Sequence, residues 1–158
     1  METHAMVMFP KNGGIVGRYV YFGGYPAGVG AALLEIVARD GLDMAREILV
    51  EKTPAWVCLK TDPEWLLGIH ENLSYPIITG YGESEIWGEL IEHSNMEEYV
   101  NACEWIYVLE DEGLRCAKIE HKIGAEADDV SWLLISPWST RPSDLADLIE
   151  VEMSLATA

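Results

Sequence analysis

The chain is poor in positive charge. Ten Lys and Arg stand against 27 Asp and Glu in 158 residues, a formal net charge of −17. A protein that grips a phosphate backbone needs Lys and Arg to displace counterions, so direct nucleic-acid binding is not expected. Cysteine is scarce too. Cys58, Cys103 and Cys116 make an odd set with no C-x-x-C pair, which excludes the dense, even framework of a disulfide scaffold. A reactive thiol would need a base or a helix N-terminus beside it, and the sequence places none there; buried free thiols are expected instead. No apolar run approaches the roughly 18 residues of a membrane helix. The opening Met1-Glu2-Thr3-His4 lacks the basic and apolar regions of a signal peptide. A soluble, cytoplasmic protein is the expectation.

Catalytic and metal motifs are also missing. His4, His70, His93 and His121 show no H-x-x-x-H or H-E-x-x-H spacing, so neither a metal site nor a cofactor is expected. Paired carboxylates carry little weight among so many acids. A non-catalytic role follows as the expectation.

What is present suits one domain. The length lies near the usual domain size and allows burial of about 70% of the unfolded surface. A hydrophobic fraction of 49% with 23% charged residues is ordinary for a globular chain.

The pattern predicts its elements. Ala5–Phe9 is an apolar run, and Asn12-Gly13 is a strong two-residue hairpin signal because both residues tolerate positive φ. A returning strand is predicted over Ile15–Phe22, then a glycine-rich link. A helix follows with Val29, Leu33, Ile36 and Val37 on one face and Gly41 as its stop. Further helices are predicted over Asp43–Lys52, from Asp62 through Leu67, and around Ile86–Ile91, with a loop over 68–82. A second hairpin joins Cys103–Glu110 to Leu114–His121 across Asp111-Glu112-Gly113. A polar linker spans 125–129, and an amphipathic helix from about Ser143 to Leu155 places Leu145, Leu148, Ile149 and Met153 on one face. Two hairpins with interspersed helices predict an α+β fold: one domain over 1–158, an antiparallel sheet with helices packed on it.

Two sets of residues are candidate sites. The first is the loop Gly23, Gly24, Tyr25, Pro26, Gly28 and Gly30. A strand, a glycine-rich turn and a helix start together can cradle an anion, since backbone N–H groups point outward there. The loop matches neither G-x-G-x-x-G nor G-x-x-x-x-G-K-[ST], so a tight strand-to-helix connection is the preferred reading. The second set is for a partner: Glu110, Asp111, Glu112, Asp128 and Asp129 as acidic docking groups, with Trp132 and Trp138, flanking Pro137 in a stretch read as irregular, as interface aromatics. Trp and Tyr are over-represented at interface hot spots. Trp65, Trp87, Trp105 and Tyr107 are read as core.

Thr3-His4-Ala5, the first hairpin and Tyr21-Phe22-Gly23-Gly24-Tyr25-Pro26-Ala27-Gly28-Val29-Gly30 resemble the opening of an uncharacterised family of actinobacteria and their phages. That family carries an aromatic-His-(Trp/Phe)-Asp-x-Tyr-Pro-x-Gly-(Leu/Val)-Gly motif and a later Cys-Glu-(Trp/Tyr)-x-Tyr-Val strand, matched by Cys103–Val108. The resemblance covers about a quarter of the chain. It implies a phage or accessory-genome setting, with host cytoplasm as the compartment, and brings no activity. Tyr21 and Gly23 stand where the family has His and Asp, so chemistry resting on those groups is not carried over.

Composition and resemblance together predict a small acidic binding protein that engages and modulates a host or defence macromolecule. The partner is expected to be a protein with a basic surface, and imitation of DNA is a special case. The alternative is a small-molecule or nucleotide binder, or an enzyme, using the Gly23–Gly30 loop.

Overall fold

The computed structural model describes residues 3–62, 76–121, 123 and 128–156. All of the predicted Asp62–Leu67 helix except Asp62, together with Trp65, His70 and most of the 125–129 linker, lies outside them.

The Asn12-Gly13 turn forms as the sequence requires, with φ of 51° and 79°. It joins β1 (Ala5–Lys11) to β2 (Gly14–Val20) in an unbroken antiparallel register from Ala5↔Val20 to Lys11↔Gly14. Positive φ at both central residues matches the twist of the flanking strands. The second hairpin joins β6 (Trp105–Leu109) to β7 (Gly113–Glu120). Its turn is Glu110-Asp111-Glu112, and Gly113 already belongs to β7.

These hairpins meet in one eight-stranded sheet of order β4-β5-β3-β2-β1-β6-β7-β8. The short strands are β3 (Trp56–Leu59), β4 (Ile77–Ile78) and β5 (Gly82–Ser84), and β8 spans Asp129–Pro137. The sheet is mixed. β1 runs parallel to β6, and β2 runs parallel to β3. A parallel neighbour requires a crossover, which between β2 and β3 is a helical stretch: a wide turn at Pro26–Gly30, α1 (Ala31–Asp40), α2 (Leu42–Arg46) and a wide turn to Glu51. Gly41, at φ 88°, separates the two helices, as predicted.

Helices on one face and irregular chain on the other bury the central strand twice over. In β1, Ala5, Val7 and Phe9 join the core under α1 and α2, with Leu33, Ile36, Leu49, Trp56 and Tyr107. Met6 and Met8 join the opposite core, with Ile91, Cys103, Ile106 and Val108. That two-sided burial explains why Ala5–Phe9 is apolar throughout instead of alternating. The second core is capped by the segment 85–103 with α3 (Met96–Val100).

Several local expectations are corrected as well. Ile86–Ile91 is not a helix. A Cβ at Gly88 would run into the Pro54 carbonyl oxygen, so only glycine lets the chain pass, and Ile91 exchanges backbone bonds of 2.9 Å with Gly17 in an isolated bridge. Ile86 and Trp87 consequently project outward, 71% and 77% exposed, so Trp87 is not core. The predicted loop over 68–82 includes β4 and the first residue of β5 within its described part. Finally, Trp132 lies in a strand. β8 pairs with β7 along its whole length, and a register shift at Cys116/Ala117 breaks the period-two alternation that identifies a strand in sequence.

The C-terminal helix α4 (Leu145–Ala156) follows a single turn at Pro142–Asp144. Leu145 and Ile149 seat it on the first core. Leu148 does not share that face, being 44% exposed.

Candidate binding surface

The glycine-rich loop is built into the fold. The Gly24 N–H donates to the Thr3 carbonyl at 2.8 Å, Gly28 to Tyr25 and Val29 to Gly23, both at 2.9 Å. The buried Tyr107 hydroxyl donates to the Gly24 carbonyl at 2.7 Å. Those nitrogens are therefore already engaged inside the protein. A Cβ at Gly28 would strike the Gly23 carbonyl oxygen, and one at Gly30 would lie 2.6 Å from Leu145 Cδ2. This is the close packing of a strand-to-helix connection.

What the loop does build is one wall of a hollow. Tyr25, Pro26 and Ala27 face Ala146, Ile149, Glu150, Met153 and Ser154 of α4 across an open groove of about 530 Å³, with Trp105 among its lining. Trp105 is nearly buried and stacks on Tyr107 at 6.3 Å between ring centroids. The Lys118 ammonium lies 4.8 Å from the Trp105 ring centroid. Tyr25, at the rim, is 48% exposed. The only charged lining group among the described residues is Glu150. Of the loop set, Tyr25 and Pro26 therefore line this groove, and the glycines position them.

The second set divides. Glu110 and Trp132 meet at a smaller hollow of about 290 Å³ on the opposite face of the sheet, shared with Pro10, Ile15, Val108 and Arg115. Arg115 links them: its Nε lies 2.5 Å from Glu110 Oε2 and its guanidinium sits over Trp132, 5.7 Å from the ring centroid. Trp138 is half-buried, donating to the Glu110 carbonyl at 2.8 Å while packing on the first core. Asp111 pairs with Arg46 at 3.2 Å, and Arg46 also donates to the Leu109 carbonyl. Asp129 opens the nine-residue β8 and Asp128 directly precedes it, which puts Asp129 roughly 26 Å from Pro137 at about 3.3 Å per residue. Turn acids and linker acids do not form one patch.

His121, directly after β7, is bonded to Asp128. Its Nδ1 lies 2.7 Å from Asp128 Oδ2 and its Nε2 lies 2.8 Å from the Cys103 carbonyl. Both partners are acceptors, so both bonds form only when the ring carries two protons. The Asp128 carboxylate accordingly raises the His121 pKa. Asp40 is held at about 2 by Arg39 and by the Tyr81 hydroxyl, a brace between α1 and the turn before β5. Burial raises all three thiols, Cys116 to about 12, which keeps them protonated and poor nucleophiles. Among the described residues no group of three or more His, Cys, Asp or Glu is placed to hold a metal ion, and no helix is long and apolar enough to cross a membrane.

The sequence reading missed the outer side of α4. Val151 and Leu155 are 57% and 65% exposed and line a further hollow of about 460 Å³ with Asp147, Glu150 and Ser154. Its signal was available: Leu148, Val151 and Leu155 follow three-four spacing, which marks a second apolar stripe beside the buried one.

Compared with known protein families, curated proteins and solved structures, the chain matches none.

Proposed function

We propose that the protein is a non-catalytic binding protein whose partner is a protein with a basic surface, and that it modulates that partner in a host cytoplasm. One observation carries the reading: the open groove between Tyr25 and α4 combines an apolar lining with a single carboxylate, Glu150. An aromatic or aliphatic anchor would enter beside Trp105 and Met153, where thioether flexibility helps the wall adapt. A basic group beside that anchor would meet Glu150, and one farther along the outer side of α4 would meet Asp147. The net charge of −17 would speed encounter with such a surface, and the association rate would fall as salt rises.

The test uses a photo-crosslinking residue at position 25, and a second at the exposed Met44 of α2 as a control. A basic protein joined at position 25 but not 44, with salt-sensitive association, is the expected result. Identical products at both positions, or binding indifferent to salt, would refute the reading.

A second reading has one observation in its favour. The groove volume falls within the ligand-pocket range of roughly 300–1,000 Å³. Its lining, apolar with one carboxylate, suits an apolar or cationic small molecule better than a phosphate. A thermal-shift screen should therefore show no stabilisation by nucleotides. A stabilising apolar ligand lost in Tyr25→Ala would favour this second reading.

A further inference from the structure

α4 carries two apolar stripes, and among the described residues only one of them packs on the core. Leu145 and Ile149 face the core. Leu148, Val151 and Leu155 face outward, 44%, 57% and 65% exposed. Their spacing of three and then four residues is that of the a and d positions along a helix-pairing seam. In that frame the flanking positions are Asp147 on one side and Glu152 on the other. Between Leu145 and Ala156 the sequence holds three carboxylates and no Lys or Arg.

We infer that this outer stripe docks a basic amphipathic helix of the partner, laid along α4. The inference rests on the proposed binding function and names the chemistry of its occupant. A second copy of the chain is the wrong occupant: pairing α4 with itself would set Asp147 and Glu152 against like charges, and flanking charges choose the partner in such seams. A helix with Leu or Ile at its inner positions and Lys or Arg beside them satisfies both the stripe and the flanks. At twelve residues, or roughly 18 Å at about 1.5 Å per residue, α4 offers three seam anchors, and the adjoining groove at Tyr25 and Met153 offers room for one more.

The test uses the full chain and two labelled three-heptad peptides with Leu at a and d, one with Lys at the flanking positions and one with Glu. Fluorescence anisotropy should show binding of the Lys peptide, weakened by salt, and none of the Glu peptide. Leu148→Gln with Val151→Gln should weaken binding at least about tenfold, as loss of central anchors does. These side chains are exposed, so the fold should persist, which circular dichroism checks. Asp147→Lys with Glu152→Lys should exchange the preference, so that the Glu peptide now binds.

Equal binding of both peptides, or full binding by the Leu148/Val151 variant, overturns the inference. So does self-association of the wild type that the same variant abolishes. Lys-peptide binding that survives in this variant but is lost in Tyr25→Ala would place the contact in the groove, leaving the proposed function standing without the seam. Binding of neither peptide together with no crosslink at position 25 would remove both.

Discussion

Gly28→Ala inverts the usual expectation for its type. Gly28 sits in the wide helical turn Pro26–Gly30 without positive φ. An alanine in helical backbone ordinarily stabilises by about 0.4–1 kcal/mol, because the unfolded chain has fewer states to lose. Here the added Cβ would strike the Gly23 carbonyl oxygen and lie 3.1 Å from Tyr25 Cε2. The carbonyl is backbone and already accepts the Val29 N–H at 2.9 Å, so relieving the contact stretches that bond or moves the turn. Overpacking of this kind costs about 1–3 kcal/mol. The net expectation is destabilisation by about 1–2 kcal/mol, and for a chain of this length a melting temperature lower by roughly 2–8 °C. Gly14→Ala is the control: its Cβ would meet nothing closer than the Lys11 carbonyl at 3.7 Å, and its effect should stay within about 0.5 kcal/mol. Scanning calorimetry on both variants decides. Gly28→Ala melting at or above wild type would refute the packing account and reopen the loop as a site kept glycine-rich for a ligand.

Tyr107→Phe removes the buried hydroxyl and leaves the Gly24 carbonyl unpaired, so urea midpoints should fall by an amount equivalent to about 1–3 kcal/mol with the slope unchanged. The His121 bonds give a pH signature: because the folded pKa is raised, their stabilisation is full below 6.5, the ordinary histidine value, and is lost as pH rises through the folded pKa. The stability gap between wild type and His121→Gln should therefore narrow from pH 5 to pH 8, and a constant gap would exclude the two-proton ring. Asp40 has the opposite sign. Its carboxylate is depressed to about 2, so the advantage of wild type over Asp40→Asn should hold above pH 3.8 and vanish as pH falls toward 2 in acid titrations.

Local features were legible in the sequence because their causes are local. Asn12-Gly13 forces a hairpin by its own φ preferences, and Gly41 ends α1 by the same logic. Val29, Leu33 and Ile36 mark a buried helix face through spacing alone. The α+β class followed from counting such units. Tertiary structure decided the rest. That β1 runs beside β6, and β2 beside β3, depends on a crossover and on strands about a hundred residues apart, and no local preference encodes such a pairing. Gly88 reads as a weak point in a helix until the nearby Pro54 carbonyl shows why no side chain fits. Trp132 escaped as a strand residue because a register shift across β7 scrambles the alternation that strands are known by. The groove at Tyr25 and the stripe on α4 illustrate the division best. Periodicity shows which residues of a helix share a face, but only docking against the sheet decides which face is buried, and it left Leu148 outside with Val151 and Leu155.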